Sequence, residues 1–252
     1  MEDVGLGVVT AMLGEAGNGI NGAFRARVTL ASGEKCKAYV KILGWREILV
    51  ECVCALLGRE AGVPIPEPLI VKIPEELGGP LYGFAARALP FPDFAHKFEA
   101  DVPGGFRLLQ QWSQLIPAAC FDEWIVNVDR NQGNLLYAGA NDFWLIDHGF
   151  ALAPGLADDV QCHPNHLFRL AVDGADEDRR SSTLLPQTRG TMQSYGGIDV
   201  SVAACTSLHV LASIPDFAAV LSYLRARQLH LGVLGANQIP RKQGDMIDDQ
   251  SR

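Results

Sequence analysis

The stretch from Asn127 to Gly149, NVDRNQGNLLYAGANDFWLIDHG, restricts the folds open to this chain more than any other segment, because it reads as one hairpin with chemically loaded ends. Leu135 to Ala138 and Phe143 to Ile146 are short apolar strands. Gly139-Ala140-Asn141-Asp142 between them is a connection of the kind hairpins use. Pairing symmetric about that connection sets Leu135 opposite Ile146, and therefore Asn134 opposite Asp147, with about 4.5 to 5.5 Å between opposed residues. An amide and a carboxylate then meet at the hairpin's open end.

Asp129 precedes Asn134 in the spacing D-x-x-x-x-N, which phosphoryl-transfer enzymes use for a catalytic base followed by a magnesium ligand. Asp147-His148-Gly149 falls where such enzymes carry a metal-binding Asp with Gly two residues later. Phosphoryl transfer needs a carboxylate that orients the attacking hydroxyl, a role that suits Asp129, and hard oxygen ligands for magnesium, which suits Asn134 and Asp147. Taken singly, each is an ordinary turn residue. Register and offset together point to chemistry.

FDEWIVNVDRNQGNLL followed by LIDHGFAL resembles the HipA-like kinase family and, more distantly, the aminoglycoside phosphotransferase and phosphatidylinositol 4-kinase branches of the kinase-like superfamily. The resemblance is strongest over Phe121 to Leu152 and extends back to Tyr39 through Pro68. It implies an α+β, two-lobed protein kinase-like fold, with a small β-rich N-lobe and a mainly helical C-lobe, that binds ATP and Mg2+ and phosphorylates a hydroxyl acceptor, in this family a protein Ser or Thr. Asn127-Val128 precede Asp129 where ordinary protein kinases have His-Arg, His148 replaces the Phe of D-F-G, and no A-P-E segment follows. A phosphorylation-switched activation loop is therefore not expected. A small-molecule kinase of the aminoglycoside or choline type is the alternative, and a catalytically silent nucleotide-binding module is a third reading.

Composition sets the outer limits. The chain has 252 residues, 48% of them hydrophobic, enough for a sizeable core, and a net charge of -8 that argues against nucleic acid or an anionic membrane as partner. No apolar run approaches the roughly 18 residues of a membrane span, and MEDVGLGVV lacks a basic leader, so a cytoplasmic protein is expected. Cys36, Cys52, Cys54, Cys120, Cys162 and Cys205 show no C-x-x-C spacing and read as reduced thiols, mostly buried; Cys162-His163-Pro164-Asn165-His166 reads as a surface loop.

Upstream, Val8 to Leu13, Ala23 to Leu30 and Cys36 to Leu43 read as strands; Phe24, Ala26, Val28 and Leu30 alternate with Arg25, Arg27 and Thr29. The Gly14 to Gly22 connection would let backbone N-H groups at Gly17, Gly19 and Gly22 approach nucleotide phosphates. Lys41, opposite in facing to Val40 and Ile42, stands where a kinase-like fold places its phosphate-binding lysine. Trp45 to Gly58 is a helix by spacing, with Glu47 and Glu51 one turn apart, and either can hold Lys41. The resemblance favours Glu51, ahead of the G-x-P-x-P exit.

Pro68 to Ile73 and Leu81 to Ala88 read as further strands, and Leu89-Pro90-Phe91-Pro92-Asp93 as the lobe boundary. The expected division is an N-lobe over 1-89, a C-lobe over 90-235 and a disordered tail over 236-252. Within the C-lobe, Phe106 to Ile116 and Ala118 to Val126 read as helices separated by Pro117, with Asp122 an exposed helical carboxylate unless it braces the catalytic loop, as the resemblance suggests. Arg130 either steadies the phosphoryl group or pairs with a carboxylate. Val172 to Gly197 reads as a polar mobile loop, and Pro215 to Leu229 as a helix presenting Phe217, Val220, Leu221 and Leu224.

Overall fold

The computed structural model describes residues 4–16, 22–79, 81–152, 161–201 and 209–240. Its N-terminal region is a closed five-stranded barrel of β1 (Gly5–Glu15), β2 (Phe24–Leu30), β3 (Lys35–Ile42), β4 (Pro68–Ile73) and β5 (Leu81–Arg87), in the order β1-β2-β3-β5-β4. The β1–β4 contact that closes it is parallel; the other pairings are antiparallel. Side chains alternate across a strand, so one set fills the barrel: Val9, Ala26, Val28, Ala38, Val40, Leu69, Val71, Ile73 and Ala85. Small and β-branched residues suit so narrow an interior.

The opposite set carries the consequence for function. Lys41 pairs with Phe84, and Phe84 with Ile70, so the three share the barrel's outer face. Phe84 and Ile70 are buried in the same core as α1 (Trp45–Glu60), whose residues Ile48 through Gly58 are all buried. A helix apolar all round must be enclosed by protein. Gly58 permits that closeness, since a Cβ there would lie 2.3 Å from Ile65 and 2.8 Å from Phe121. Ile42, expected to face inward with Val40, is 47% exposed at the barrel's end.

The rest is mainly helical: α2 (Phe94–Ala100), α3 (Val102–Gln110), α4 (Leu115–Trp124), α5 (His166–Val172), α6 (Glu177–Arg179), a π-turn over Arg180–Leu184, α7 (Leu185–Gly196), and helices His209–Ala212, Phe217–Gln228 and Leu231–Asn237. Pro117 does not separate two helices; it sits in the first turn of α4, where its missing N-H costs nothing. The polar stretch 172–197 is helical for most of its length rather than a loop. Leu184, Leu185, Thr188, Met192 and Tyr195 form a buried face that its many polar residues conceal in the sequence. The expected tail from residue 236 is also corrected in part: Ala236 and Asn237 end a helix and Ile239 is 3% exposed, while 241–252 lie outside the described residues. Among the described residues no helix is long and apolar enough to cross a membrane.

β6 (Leu135–Gly139) and β7 (Asp142–Leu145) form the expected hairpin in a different register. Leu135 pairs with Leu145, not Ile146, because the ladder shifts between Tyr137 and Gly139. Ala140 and Asn141 both adopt positive φ, the two-residue loop that matches strand twist, and the shift leaves Ala138 as an extra residue on β6.

Candidate active site

Helix α4 ends in a reverse turn that sets up everything after it. The Asn127 amide donates to Asp122 O at 2.9 Å and the Val126 amide to Glu123 O at 3.4 Å, a Schellman closure. Its left-handed position is normally glycine; here it is Val126, with φ 53°. A β-branched residue held there indicates a turn that surrounding contacts over-determine.

Those contacts are polar and buried. Asp122, 1% exposed, accepts from Arg130 Nε and from its terminal nitrogen, both at 2.9 Å, and from Asn127 Nδ2 at 3.2 Å. Asp122 is therefore not an exposed helical carboxylate. Arg130, paired with that carboxylate, donates its remaining nitrogen to Ile146 O at 2.7 Å and Asn134 O at 3.2 Å. One guanidinium thus ties the end of α4 to both arms of the hairpin's open end. Asn127 Oδ1 in turn accepts from the Asp129 amide at 3.2 Å.

On this frame Asn134 Nδ2 donates to Asp129 O at 2.9 Å and lies 3.5 Å from Asp129 Oδ2. With its nitrogen committed, the amide has its oxygen left for a hard cation. Asp129 itself is exposed. The Asn134–Asp147 pairing expected from a symmetric hairpin is not formed: the residue that bonds Asn134 is Ile146, whose amide donates to Asn134 O at 3.1 Å. Asp147 lies beyond the ladder with φ 60°, a left-handed conformation that Asp tolerates better than most residues.

That twist directs Asp147 to the barrel. Lys41 Nζ lies 2.7 Å from Asp147 Oδ1 and 2.9 Å from Glu51 Oε1. Glu51 is wholly buried, and its other oxygen accepts from the His148 amide at 2.9 Å, with the ring Nδ1 at 3.7 Å. Glu47, the alternative partner, is exposed and turns its carboxylate back over Gly44. Burial works against the Lys41 ammonium, yet the two carboxylates outweigh it and hold its pKa above the usual lysine value. Burial likewise favours neutral Glu51, but the His148 hydrogen bonds and the Lys41 charge hold its carboxyl well below the ordinary range. Burial is the largest influence on His148 and lowers its pKa from the usual imidazole value.

The structure thus brings Lys41, Glu51 and Asp147 together, and separately Asp129 and Asn134, with Arg130 joining the two groups through the hairpin carbonyls. Of the three glycines expected at phosphates, Gly17 and Gly19 lie outside the described residues, and Gly22 has φ 56° at the loop's return. Sequence reading undervalued Asp122, Arg130 and His148. The available signal was that α4 is apolar on every side, so a carboxylate within it must be buried and paired. Among the described residues no three His, Cys, Asp or Glu side chains are grouped to hold a metal. A cation here would rest on Asp147, the Asn134 oxygen and oxygens of its own ligand, the donor set that suits magnesium.

A buried lysine–glutamate pair on barrel and helix, facing an Asp beside a D-x-x-x-x-N turn, is the arrangement of a kinase-type phosphotransferase. The model of the HipA-like kinase family matches residues 35–183, more than half of the chain, and the chain belongs to that family. The crystal structure of the proinflammatory kinase CtkA of Helicobacter pylori is similar in fold, with a TM-score of 0.58 and 12% sequence identity over 89% of this chain and 93% of that one. A search of the curated proteins gave no match.

Proposed function

We propose that this chain is an ATP- and magnesium-dependent kinase acting on a protein hydroxyl, with residues 1–89 and 90–235 as two lobes about the nucleotide. ATP would supply the γ-phosphoryl group and magnesium would neutralise charge on its oxygens. Lys41, held by Glu51, positions the phosphates; Asp147 and the Asn134 oxygen hold the metal; Asp129, exposed and anchored through its own carbonyl and amide, orients the acceptor hydroxyl and takes its proton. Backbone groups of the Gly14 to Gly22 connection, Gly17 and Gly19 among them, would cover the phosphates. The observation that carries this reading is the Lys41 ammonium bridging Glu51 and Asp147, residues far apart in sequence that have no packing reason to meet.

A protein acceptor is favoured over a small cationic one by the cavity of about 380 Å³ next to the turn. Its polar wall is Asn131, Gln132, His166 and Arg169 with one carboxylate, Asp173, Arg130 being neutralised by Asp122, so it lacks the acidic lining that a small polycation needs. The test is incubation with labelled ATP and magnesium, wild type beside Asp129→Ala and Asp147→Asn, read as label in the chain itself and in proteins of a lysate. Loss of one catalytic group of this kind costs about 10² to 10³ in rate. Equal labelling by all three proteins would refute the assignment, and ATP binding by wild type without any turnover would replace it with a silent nucleotide-binding module.

A further inference from the structure

The cavity beside the catalytic turn does not end there. A second one, of about 490 Å³, shares His166, Arg169 and Asp173 with the first and runs on to Arg180 and Pro240. The two form one trough across the exposed side of α5, beginning at Asn131 and Gln132, two and three residues after Asp129. Phe106, Leu109 and Leu170 line its near half.

Its charge opposes that of the whole molecule. The chain carries -8 overall, yet the trough presents the guanidinium groups of Arg169 and Arg180 and the His166 imidazole against Asp173 alone. Arg130 is excluded from this balance because Asp122 neutralises it. Among the described residues Arg169 and Asp173 have no ion-pair partner, although they stand one turn apart on α5. Arg180 makes only long bonds, to Val172 O at 3.3 Å and Pro240 O at 3.4 Å, and its Nε is buried with no hydrogen-bond partner. Two unneutralised guanidinium groups along a trough that starts two residues past the proposed base, at Asn131, suit carboxylates spaced along a chain that runs over α5.

Resting on the kinase reading above, we infer that the acceptor is a polypeptide with acidic residues beside the phosphorylated Ser or Thr, the hydroxyl residue at Asp129, apolar neighbours against Phe106 and Leu109, and carboxylates on Arg169 and Arg180. The full chain, ATP and magnesium are incubated with serine peptides flanked by Glu, Ala or Lys on a common apolar frame. The Glu peptide should exceed the Lys peptide in kcat/KM by about tenfold or more, less so at high salt. Arg169→Glu and Arg180→Glu should each reduce or invert that ratio. Because Arg180 also bonds two carbonyls, circular dichroism accompanies it, and Arg169→Glu, which breaks no hydrogen bond, stands as the decisive variant. A Lys peptide equal to or better than the Glu peptide overturns the inference, as does a ratio that Arg169→Glu leaves unmoved. A second arm needs no catalysis: anisotropy of a fluorescein-labelled Glu peptide with Ala in place of Ser, expected to bind wild type and to weaken about tenfold in Arg169→Glu. Transfer to no acceptor at all refutes the kinase reading, while the anisotropy arm still decides the trough.

Discussion

Removing the Asp122 carboxylate tests whether the turn from Asn127 to Asn134 is held by one buried ion pair. Asp122→Ala deletes two charge-assisted hydrogen bonds from Arg130 and one from Asn127, and leaves the guanidinium, itself 2% exposed, without its counter-ion. Hydrogen bonds to charged groups contribute about 1.5 to 3 kcal/mol each, and breaking a buried pair from one side costs about 3 to 5 kcal/mol. Against a total stability of about 5 to 15 kcal/mol the variant should remain folded at 25 °C. Its melting temperature should fall by roughly 10 °C, at about 2 to 4 °C per kcal/mol for a chain of this size. Asp122→Leu combined with Arg130→Met removes both charges together and should be less damaging than the sum of the single changes by about 2 kcal/mol, the residual cost being the Ile146 carbonyl left without its donor and the Asn127 side-chain amide left without its acceptor. Urea melts of wild type, Asp122→Leu, Arg130→Met and the double variant measure this cycle, and thermal melts compare Asp122→Ala with wild type. A fall in melting temperature under about 3 °C for Asp122→Ala, or strict additivity in the double variant, would show that the turn is held by something else.

Other outcomes follow from the same geometry. Glu51→Gln should lower phosphoryl transfer by about 10² or more while Glu47→Gln stays within about twofold, since only the buried carboxylate touches Lys41; steady-state rates separate them. Burial pushes the Glu123 carboxyl up to about 7 despite its 2.8 Å bond from Arg227. A raised folded value means that the stability contribution is full below the unfolded pKa of about 4.3 and is lost as pH rises through 7, so Glu123→Gln should flatten the melting temperature between pH 5 and about 7.5. The depressed carboxyl of Glu51 acts oppositely, and its contribution should disappear only as pH falls below about 4.3. Among the described cysteines, iodoacetamide followed by mass spectrometry should label Cys162, and slowly Cys36, in the native protein; Cys52, Cys54 and Cys120 are buried with raised thiol pKa and should label only in denaturant.

Much of this was legible in the residues. Alternation in FRARVTL and the turn signals around it place β2 within a residue, and the spacing of Phe217, Val220, Leu221 and Leu224 marks their helix, because each reports burial on one face. The hairpin was found but its register was off by one, since nothing local distinguishes a four-residue connection from a two-residue loop with an extra residue on one arm. Choosing between Glu47 and Glu51 needs the direction of α1 relative to Lys41, which is tertiary information. The polar helix α7 was missed for the converse reason: its buried face is narrow, and Arg, Gln and Gly residues around it dilute the period.

The barrel's parallel closure reaches beyond the site it supports. With β1 joined to both β2 and β4, every strand has two neighbours, but β4 pairs only with Gly5 to Val8 of β1, so the margin of β1 from Val9 to Glu15 on that side has no strand partner among the described residues. The small hairpin is shielded on both flanks, by the Tyr137 amide on Pro92 O and the Leu145 amide on Pro64 O, each at 2.9 Å or less. An extended stranger is therefore limited to that one short template on β1, which confines self-association through strands to a single place. Away from that margin, whatever associates with this molecule through its strands has to read side chains, so its selectivity can be rewritten by surface substitution without touching the backbone ladder.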